Sequence, residues 1–307
     1  MAYDLDHELV AIGCLLVLSL DPSIYRMTTL NRSIGDFYDR STPLWLQVWG
    51  EHMHHGYYGA DGRERKERRQ AQIDLVFELL RWAGIGAATH ILDAGCGVGG
   101  SARLLATHFN ARVDGCTLSA VQAEQGGRYN RSAGLEKQVC IEYKDILHLG
   151  PPDVLYDLVW SLESAEHIPD KERLLRLFYE QLRPGGQLLL VTWCHRNVPP
   201  DLGVPEHRLL ERICRNYHLP PLISLSAYAG IAREVGFREI RTADWSAAVA
   251  PFRKAVLRSA LQIRSFSRLL QCGLPVVRGA WAMRYMEQGF RRGTIGYGLL
   301  TAVKDRG

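Results

Sequence analysis

The feature that most constrains this chain is a run of glycines. Residues 93–100 read DAGCGVGG, closing the short apolar stretch His90–Ala94 and leading into a helical pattern from Gly99 to Phe109. Glycines between a strand and a helix permit a tight turn and let a ligand approach the backbone. The segments on either side extend the same alternation. Gln72–Ala83 has helical apolar spacing at Ile73, Val76, Phe77 and Leu80. Arg112–Thr117, Val139–Tyr143, Tyr156–Ser161 and Gln187–Trp193 read as strands. Ser119 opens a helix with Gln122 placed to complete a capping box, and Lys171–Leu182 is a helix closed by Pro184-Gly185-Gly186. Strands separated by helices give βαβ units, a parallel sheet and right-handed crossovers. Beyond Trp193 come a Pro-rich loop (196–205), helices near 206–217 and 227–235, a strand at 238–243, a mostly helical stretch (251–293) and a last strand, Ile295–Lys304. The expected organisation is an apolar segment (1–33) and one domain (34–307). That domain has a ligand-binding core at about 72–193 and an inserted helical cap at about 196–293.

Two nucleotide ligands compete for the loop. Gly95, Gly97 and Gly100 satisfy GxGxxG, the dinucleotide pattern. Asp93, Gly95, Gly97 and Gly99 satisfy DxGxGxG, a pattern of S-adenosylmethionine sites. Asp93 discriminates between them, because an anion there repels a pyrophosphate and suits a sulfonium or amino group. A NAD site also wants an acid ending the second strand. Thr117 stands there, with Asp114 three residues too early. S-adenosylmethionine is therefore favoured, with Cys96 inside the loop. Thr117, Leu118 and Gln122 should border its ribose. Asp145, followed by Ile146, either accepts from the adenine amino group or is a solvated loop carboxylate. Ser161 begins SLESAEH (161–167), at the sheet edge where reacting groups belong.

Composition narrows the remaining classes. Lys and Arg total 37 against 33 Asp and Glu, a net charge of +4, which gives no reason to expect nucleic-acid binding. The seven cysteines include no CxxC pair, so free thiols are expected and zinc is not. His52, His54 and His55 imitate a ligand set, but on a helix His54 would point away from the other two, and no metal is expected. Leu9–Leu20 is a twelve-residue apolar run, shorter than the ~20 residues of a spanning helix. Asp4, Asp6 and Glu8 precede it where a signal peptide would be basic. It reads as interfacial or dispensable, with Met27 an alternative start.

At these residues the chain resembles the gamma-tocopherol C-methyltransferase family. The shared core motifs are ILDAGCGVGG (91–100), DLVWSLESAEHIPDK (157–171), LRPGG (182–186) and TWCHR (192–196). The more specific segments are FYDRSTPLWLQVWGEHMHHGYY (37–58) and RTADWSAAVAPF (241–252). Some plant alkaloid N-methyltransferases share the pattern, which keeps amines and other prenylquinols open as acceptors. The resemblance implies a Rossmann-like class I methyltransferase fold: a seven-stranded, mostly parallel sheet with helices on both faces, an N-terminal lid and a C-terminal cap. It implies S-adenosylmethionine as methyl donor and no metal. It also implies methylation of an aromatic carbon ortho to the hydroxyl of a lipophilic phenol, gamma-tocopherol giving alpha-tocopherol and delta- giving beta-tocopherol.

A neutral phenol, with a pKa near 10, is a weak carbon nucleophile, so a base should assist. His167 is the leading candidate, or else it only orients Glu163. Glu163 and Glu166 come next, or else Glu163 faces the sulfonium. Residues 37–58 should fold over the cofactor, with Tyr38, His55, Tyr57 and Tyr58 available to the ligands or simply packed. Between Pro251 and Gly293 nine Lys and Arg stand against Glu287 alone, interleaved with apolar residues. This stretch reads as contact with an anionic membrane surface, or as a cap helix with a solvated basic face. A cytoplasmic enzyme, peripheral on a thylakoid-type membrane, is the expectation.

Overall fold

The computed structural model describes residues 34–36, 38–43, 45–46, 50–252 and 284–307. Its elements run α1 (Arg68–Ala83), β1 (His90–Ala94), α2 (Gly100–Phe109), β2 (Arg112–Thr117), α3 (Ala120–Ser132), β3 (Val139–Tyr143), β4 (Tyr156–Leu162), α4 (Lys171–Gln181), β5 (Leu182–His195), α5 (Val204–Tyr217), α6 (Leu225–Val235), β6 (Phe237–Asp244) and β7 (Ile295–Lys304). Single 3-10 turns at Ile146–His148 and Ala165–His167 follow β3 and β4. Residues 34–36, 38–43, 45–46, 246–252 and 284–291 are helical.

The seven strands form one sheet in the order β3-β2-β1-β4-β5-β7-β6. Every pair is parallel except those made by β7. A strand in such a sheet is buried on both faces and reads as a continuous apolar run. Leu188 and Leu190 of β5 join one apolar cluster with Leu174, Leu175 and Phe178 of α4 and Tyr228 of α6. Leu189 and Val191 join another with Leu75 and Leu79 of α1 and Leu105 of α2. The three-layer α/β architecture expected from the resemblance is the observed one.

The strand and helix boundaries differ from the expected ones in instructive places. Gln122 completes only half of the capping box. Its backbone N–H donates to Ser119 Oγ at 3.1 Å, but its side chain accepts from Thr117 Oγ1 at 2.7 Å instead of turning back. Pro184-Gly185-Gly186 does not close α4, which stops at Gln181. These residues bulge from β5, whose register on β4 shifts between Tyr156 and Leu158. A Cβ on Gly186 would lie 2.9 Å from Arg183 O and 3.0 Å from Tyr156 O, so only glycine passes there. Within 196–293, α6 packs in the layer beside α4, and β6 is the sheet's edge strand. Both elements belong to the layered body.

Candidate active site

The reacting edge of a parallel sheet lies beyond the carboxyl ends of its strands. Here the loops after β1, β2, β3 and β4 border an open cleft. Its walls carry Asp93, Gly95, Cys96 and Gly97 after β1, Thr117, Leu118 and Gln122 after β2, Ile146 after β3, and Glu163 and His167 after β4.

Backbone chemistry fixes the glycine loop. The N–H groups of Gly95 and Cys96 both donate to Cys116 O, at 3.1 and 2.9 Å, folding the loop onto β2. Gly95 has φ +87°, and a Cβ there would lie 2.3 Å from Cβ of Ser164. Ser164 Oγ donates to Ala94 O at 2.6 Å, so the turn after β4 is bolted to the loop after β1.

Asp93 is buried with one carboxylate oxygen, Oδ2, lacking any hydrogen-bond partner. Burial pushes its pKa up to about 7, against the Ala102 N–H and the Arg103 charge, which lower it. A buried anion with a free oxygen is a site for a cationic or N–H-bearing ligand group.

Glu163 stands at the end of β4 with φ +53°, a left-handed conformation that costs energy outside glycine and concentrates at functional positions. Three donors converge on its carboxylate. His55 N–H reaches Oε1 at 2.7 Å, His55 Nδ1 reaches Oε2 at 2.8 Å, and Tyr297 Oη–H reaches Oε1 at 2.7 Å. Burial works to raise the Glu163 pKa, but the His55 charge and hydrogen bonds, with His54 behind them, hold it below the usual carboxylate range.

His167 also lines the cleft. Its Nε2 pairs with the Tyr38 hydroxyl at 3.0 Å, and its Nδ1 has no partner. Burial, with Lys171 and His218, lowers its pKa to about 4, so the ring is neutral at ordinary pH.

Residues 91–186 match the family model described as a methyltransferase domain. The chain is 41% identical over 284 residues to a protein of Oryza sativa subsp. japonica named "Probable tocopherol O-methyltransferase, chloroplastic", covering 90% of this chain and 78% of that one. It is 36% identical over 287 residues to the chloroplastic tocopherol O-methyltransferase of Arabidopsis thaliana, covering 90% and 82%. This chain belongs to the tocopherol methyltransferase family. The fold is also that of the cyclopropane synthase MmaA2 from Mycobacterium tuberculosis, with a TM-score of 0.75 at 20% identity over 88% of this chain and 95% of that one.

As a member of this family, the protein is an S-adenosylmethionine-dependent methyltransferase, and the cleft fits that cofactor. The unpartnered Asp93 oxygen suits its amino group, and a Cβ on cleft-lining Gly97 would meet only Met53 Sδ, at 3.9 Å, so the backbone there is open to a ligand. Among the described residues no group of three or more His, Cys, Asp or Glu is arranged as metal ligands. His52, His54 and His55 are all buried, in a segment that is not helical.

Several residues expected at the site do not line the cleft, the buried Glu166 among them. Gly99 faces β3, where a Cβ would lie 2.2 Å from Ile141 Cδ1. Asp145 caps the turn after β3, accepting from Leu147 N at 2.9 Å and meeting His148 Nδ1 at 3.1 Å. Ser161 is buried, 2.9 Å from Ser164 Oγ. His55 sits behind Glu163 in a cage of Trp193, Phe252, Phe290 and Tyr297.

The expected lid has two described parts. Residues 50–58 are stitched down: Gln72 donates to His52 O and His54 O, and Tyr57 N to Ala71 O at 2.8 Å. Residues 38–43 are latched by Asp39, which accepts from Ser119 Oγ at 2.5 Å and Val121 N at 3.2 Å. Tyr38, Met53 and His54 reach the cleft, whereas Tyr57 and Tyr58 do not. Tyr297 carries no motif signal, because it is one aromatic in an apolar strand.

Proposed function

We propose that this enzyme methylates an aromatic ring carbon ortho to the hydroxyl of a prenylated phenol, converting gamma-tocopherol to alpha-tocopherol and delta-tocopherol to beta-tocopherol. The observation that carries the tocopherol acceptor is the 41% identity, along nearly the whole chain, to a protein named a probable tocopherol O-methyltransferase, and the ring carbon as the methylated atom rests on the motif resemblance. The cleft supplies the chemistry. S-adenosylmethionine brings an electrophilic methyl group. The chain must then seat a phenol, accept its proton and keep water away, because positioning and proton removal are the terms a protein adds to such a displacement.

His167 is the group for the proton. Its ring is neutral, it lines the cleft, and Nδ1 is unengaged. A phenolate is nucleophilic at its oxygen and at its ortho and para carbons. A hydrogen bond from His167 to the oxygen, once the proton has moved, occupies that oxygen and leaves the ortho carbon facing the methyl. Glu163 is a poor base, because three donors already hold its two oxygens and keep its pKa below the usual carboxylate range. Its role is electrostatic.

The acceptor is lipophilic, and an anionic membrane surface is its source in this reading. Most of the basic stretch 251–293 lies outside the described residues. At its described end Arg284, Arg291 and Arg292 are exposed, and Arg212 of α5 and Arg284 both stack on Tyr285. No described helix is long and apolar enough to cross a membrane. Sedimentation with anionic but not neutral liposomes is expected, and equal binding to both, or to neither, overturns this part.

Turnover with labelled S-adenosylmethionine and a panel of gamma-tocopherol, delta-tocopherol, prenylquinols and indole amines tests the whole. A ring methyl with a free phenol, identified by NMR, is expected on the tocopherols. Labelling of an amine alone, or formation of a methyl ether, overturns the proposal.

A further inference from the structure

Glu163 is held by more machinery than a structural carboxylate needs. Its partners come from two distant places, His55 in the segment before α1 and Tyr297 in β7, 108 and 134 residues away along the chain. Both partners are buried, and Tyr297 is fully so. The acid between them lines the cleft in a strained backbone conformation. Strain, burial and three donors together describe an anion that the fold forces to exist at one place.

We propose that Tyr297 and His55 are positioning residues that keep Glu163 an anion in the cleft wall, so that the cleft binds the sulfonium cation of S-adenosylmethionine in preference to the neutral S-adenosylhomocysteine left after transfer. The inference rests on S-adenosylmethionine occupying the cleft. The two ligands share the amino acid, ribose and adenine and differ by one methyl group and one positive charge. Asp93, read as holding the shared amino group, pulls on both alike. A fixed anion beside the sulfur pulls on only one of them, and the attraction disappears when the methyl leaves. The device favours loading with donor and release of spent product.

The arrangement of donors explains why it takes two arms. A buried carboxylate without hydrogen bonds would be protonated and blind to charge. Tyr297 Oη–H and the two His55 donors stabilise the ionised form and fix both oxygens. Neither residue touches the cofactor in this scheme, because His55 and Tyr297 do not line the cleft.

The test is calorimetric binding of S-adenosylmethionine and S-adenosylhomocysteine to the full chain and three variants, with thermal melts to verify folding. In wild type the donor is expected to bind more tightly than the product. Glu163→Gln, which keeps the shape and an acceptor oxygen, is expected to shrink the ratio of the two affinities by roughly tenfold. Tyr297→Phe, which deletes one hydroxyl, is expected to shrink it by about threefold in the same direction. Asp93→Asn is expected to weaken both ligands and leave the ratio unchanged. An unchanged ratio in Glu163→Gln overturns the inference, as does a ratio that collapses in Asp93→Asn instead. If wild type binds neither ligand, the reading of the cleft fails as well, which separates the two failures. A purely structural role for Tyr297 lowers both affinities together, and that result also counts against the proposal.

Discussion

The Tyr38 hydroxyl lies 3.0 Å from Nε2 of His167, so the N-terminal helical residues and the turn after β4 meet at the group read as the base. Burial raises the Tyr38 pKa, and the nearby Glu166 and Glu163 charges add to it, so the phenol keeps its proton. The pair engages Nε2 and leaves Nδ1 for the acceptor. His167→Asn is expected to lower kcat by about 10²–10⁴-fold with S-adenosylmethionine affinity nearly unchanged. Tyr38→Phe is expected to lower it by a smaller factor, roughly three- to tenfold. Steady-state rates and separate binding measurements check both. Full activity in His167→Asn removes it from catalysis.

The same pair has a pH signature. The neutral ring is the base, and its pKa is pushed down to about 4, with burial the main cause. At saturating cofactor, kcat should therefore hold through pH 6.5 and fall only as pH drops toward 4. A wild-type limb near 6.5 that vanishes in His167→Asn contradicts a buried, neutral His167.

Asp93 behaves in the opposite sense. Burial raises its pKa to about 7, and its anion is the form that attracts a cationic ligand group. The affinity for S-adenosylmethionine should rise as pH increases through 7, and Asp93→Asn should bind about tenfold or more weakly with a flat profile. Calorimetry at pH 6 and pH 8 decides this, and equal slopes for both proteins would falsify the assignment.

Gly100 tests how firmly the segment before α1 is seated. A Cβ there would lie 2.5 Å from Glu51 O and 2.7 Å from His52 Nδ1. Glu51 pairs with Arg103 at 2.7 Å, and Met53 lines the cleft. Gly100→Ala should cost about 1–3 kcal/mol by overpacking. The Tm should then fall by several degrees, with weaker cofactor binding alongside. An unchanged Tm means the segment moves aside freely.

The parts of this molecule written in local pattern were legible beforehand. The strand–glycine–helix unit, the last strand from Ile295 to Lys304 and the order of elements follow from periodicity and turn chemistry, which act over a few residues. Asp93, Glu163 and His167 stand out in the sequence because Asp93 is the penultimate residue of β1 and the other two follow β4, at the carboxyl edge of the sheet. Tyr297 does not, because its hydrogen bond to Glu163 depends on antiparallel pairing of β7 with β5 and joins residues 134 apart along the chain. His55 was singled out for chemistry at the cleft, but the aromatic cage that sets it behind Glu163 exists only once four separate segments have packed. The PGG bulge misled for the same reason. A turn signal marks a break in regular structure, and only tertiary register says whether the break ends a helix or kinks a strand.

Glu166 offers a stability test independent of catalysis. It is buried, accepts from Thr192 Oγ1 at 2.9 Å, and its pKa is raised to about 8 by burial first and by Glu163 second. In the unfolded chain it ionises near 4.5. Folding therefore takes up a proton across the window from about 4.5 to 8. The stability this group contributes is fully present below 4.5 and is lost as pH rises through 8. Glu166→Gln keeps an acceptor for Thr192 and cannot ionise. Relative to wild type it should gain stability steadily from pH 5 to pH 8, by on the order of a few kcal/mol at the upper end. Neighbouring Lys171, its pKa lowered to about 8 mainly by burial, acts in a higher window. Its contribution is present above its usual 10.5 and is lost as pH falls through 8, so the two titrations separate. Urea unfolding of wild type and variant at pH 5.5, 7 and 8 measures the difference. Parallel stability profiles would mean that Glu166 stays ionised in the folded protein.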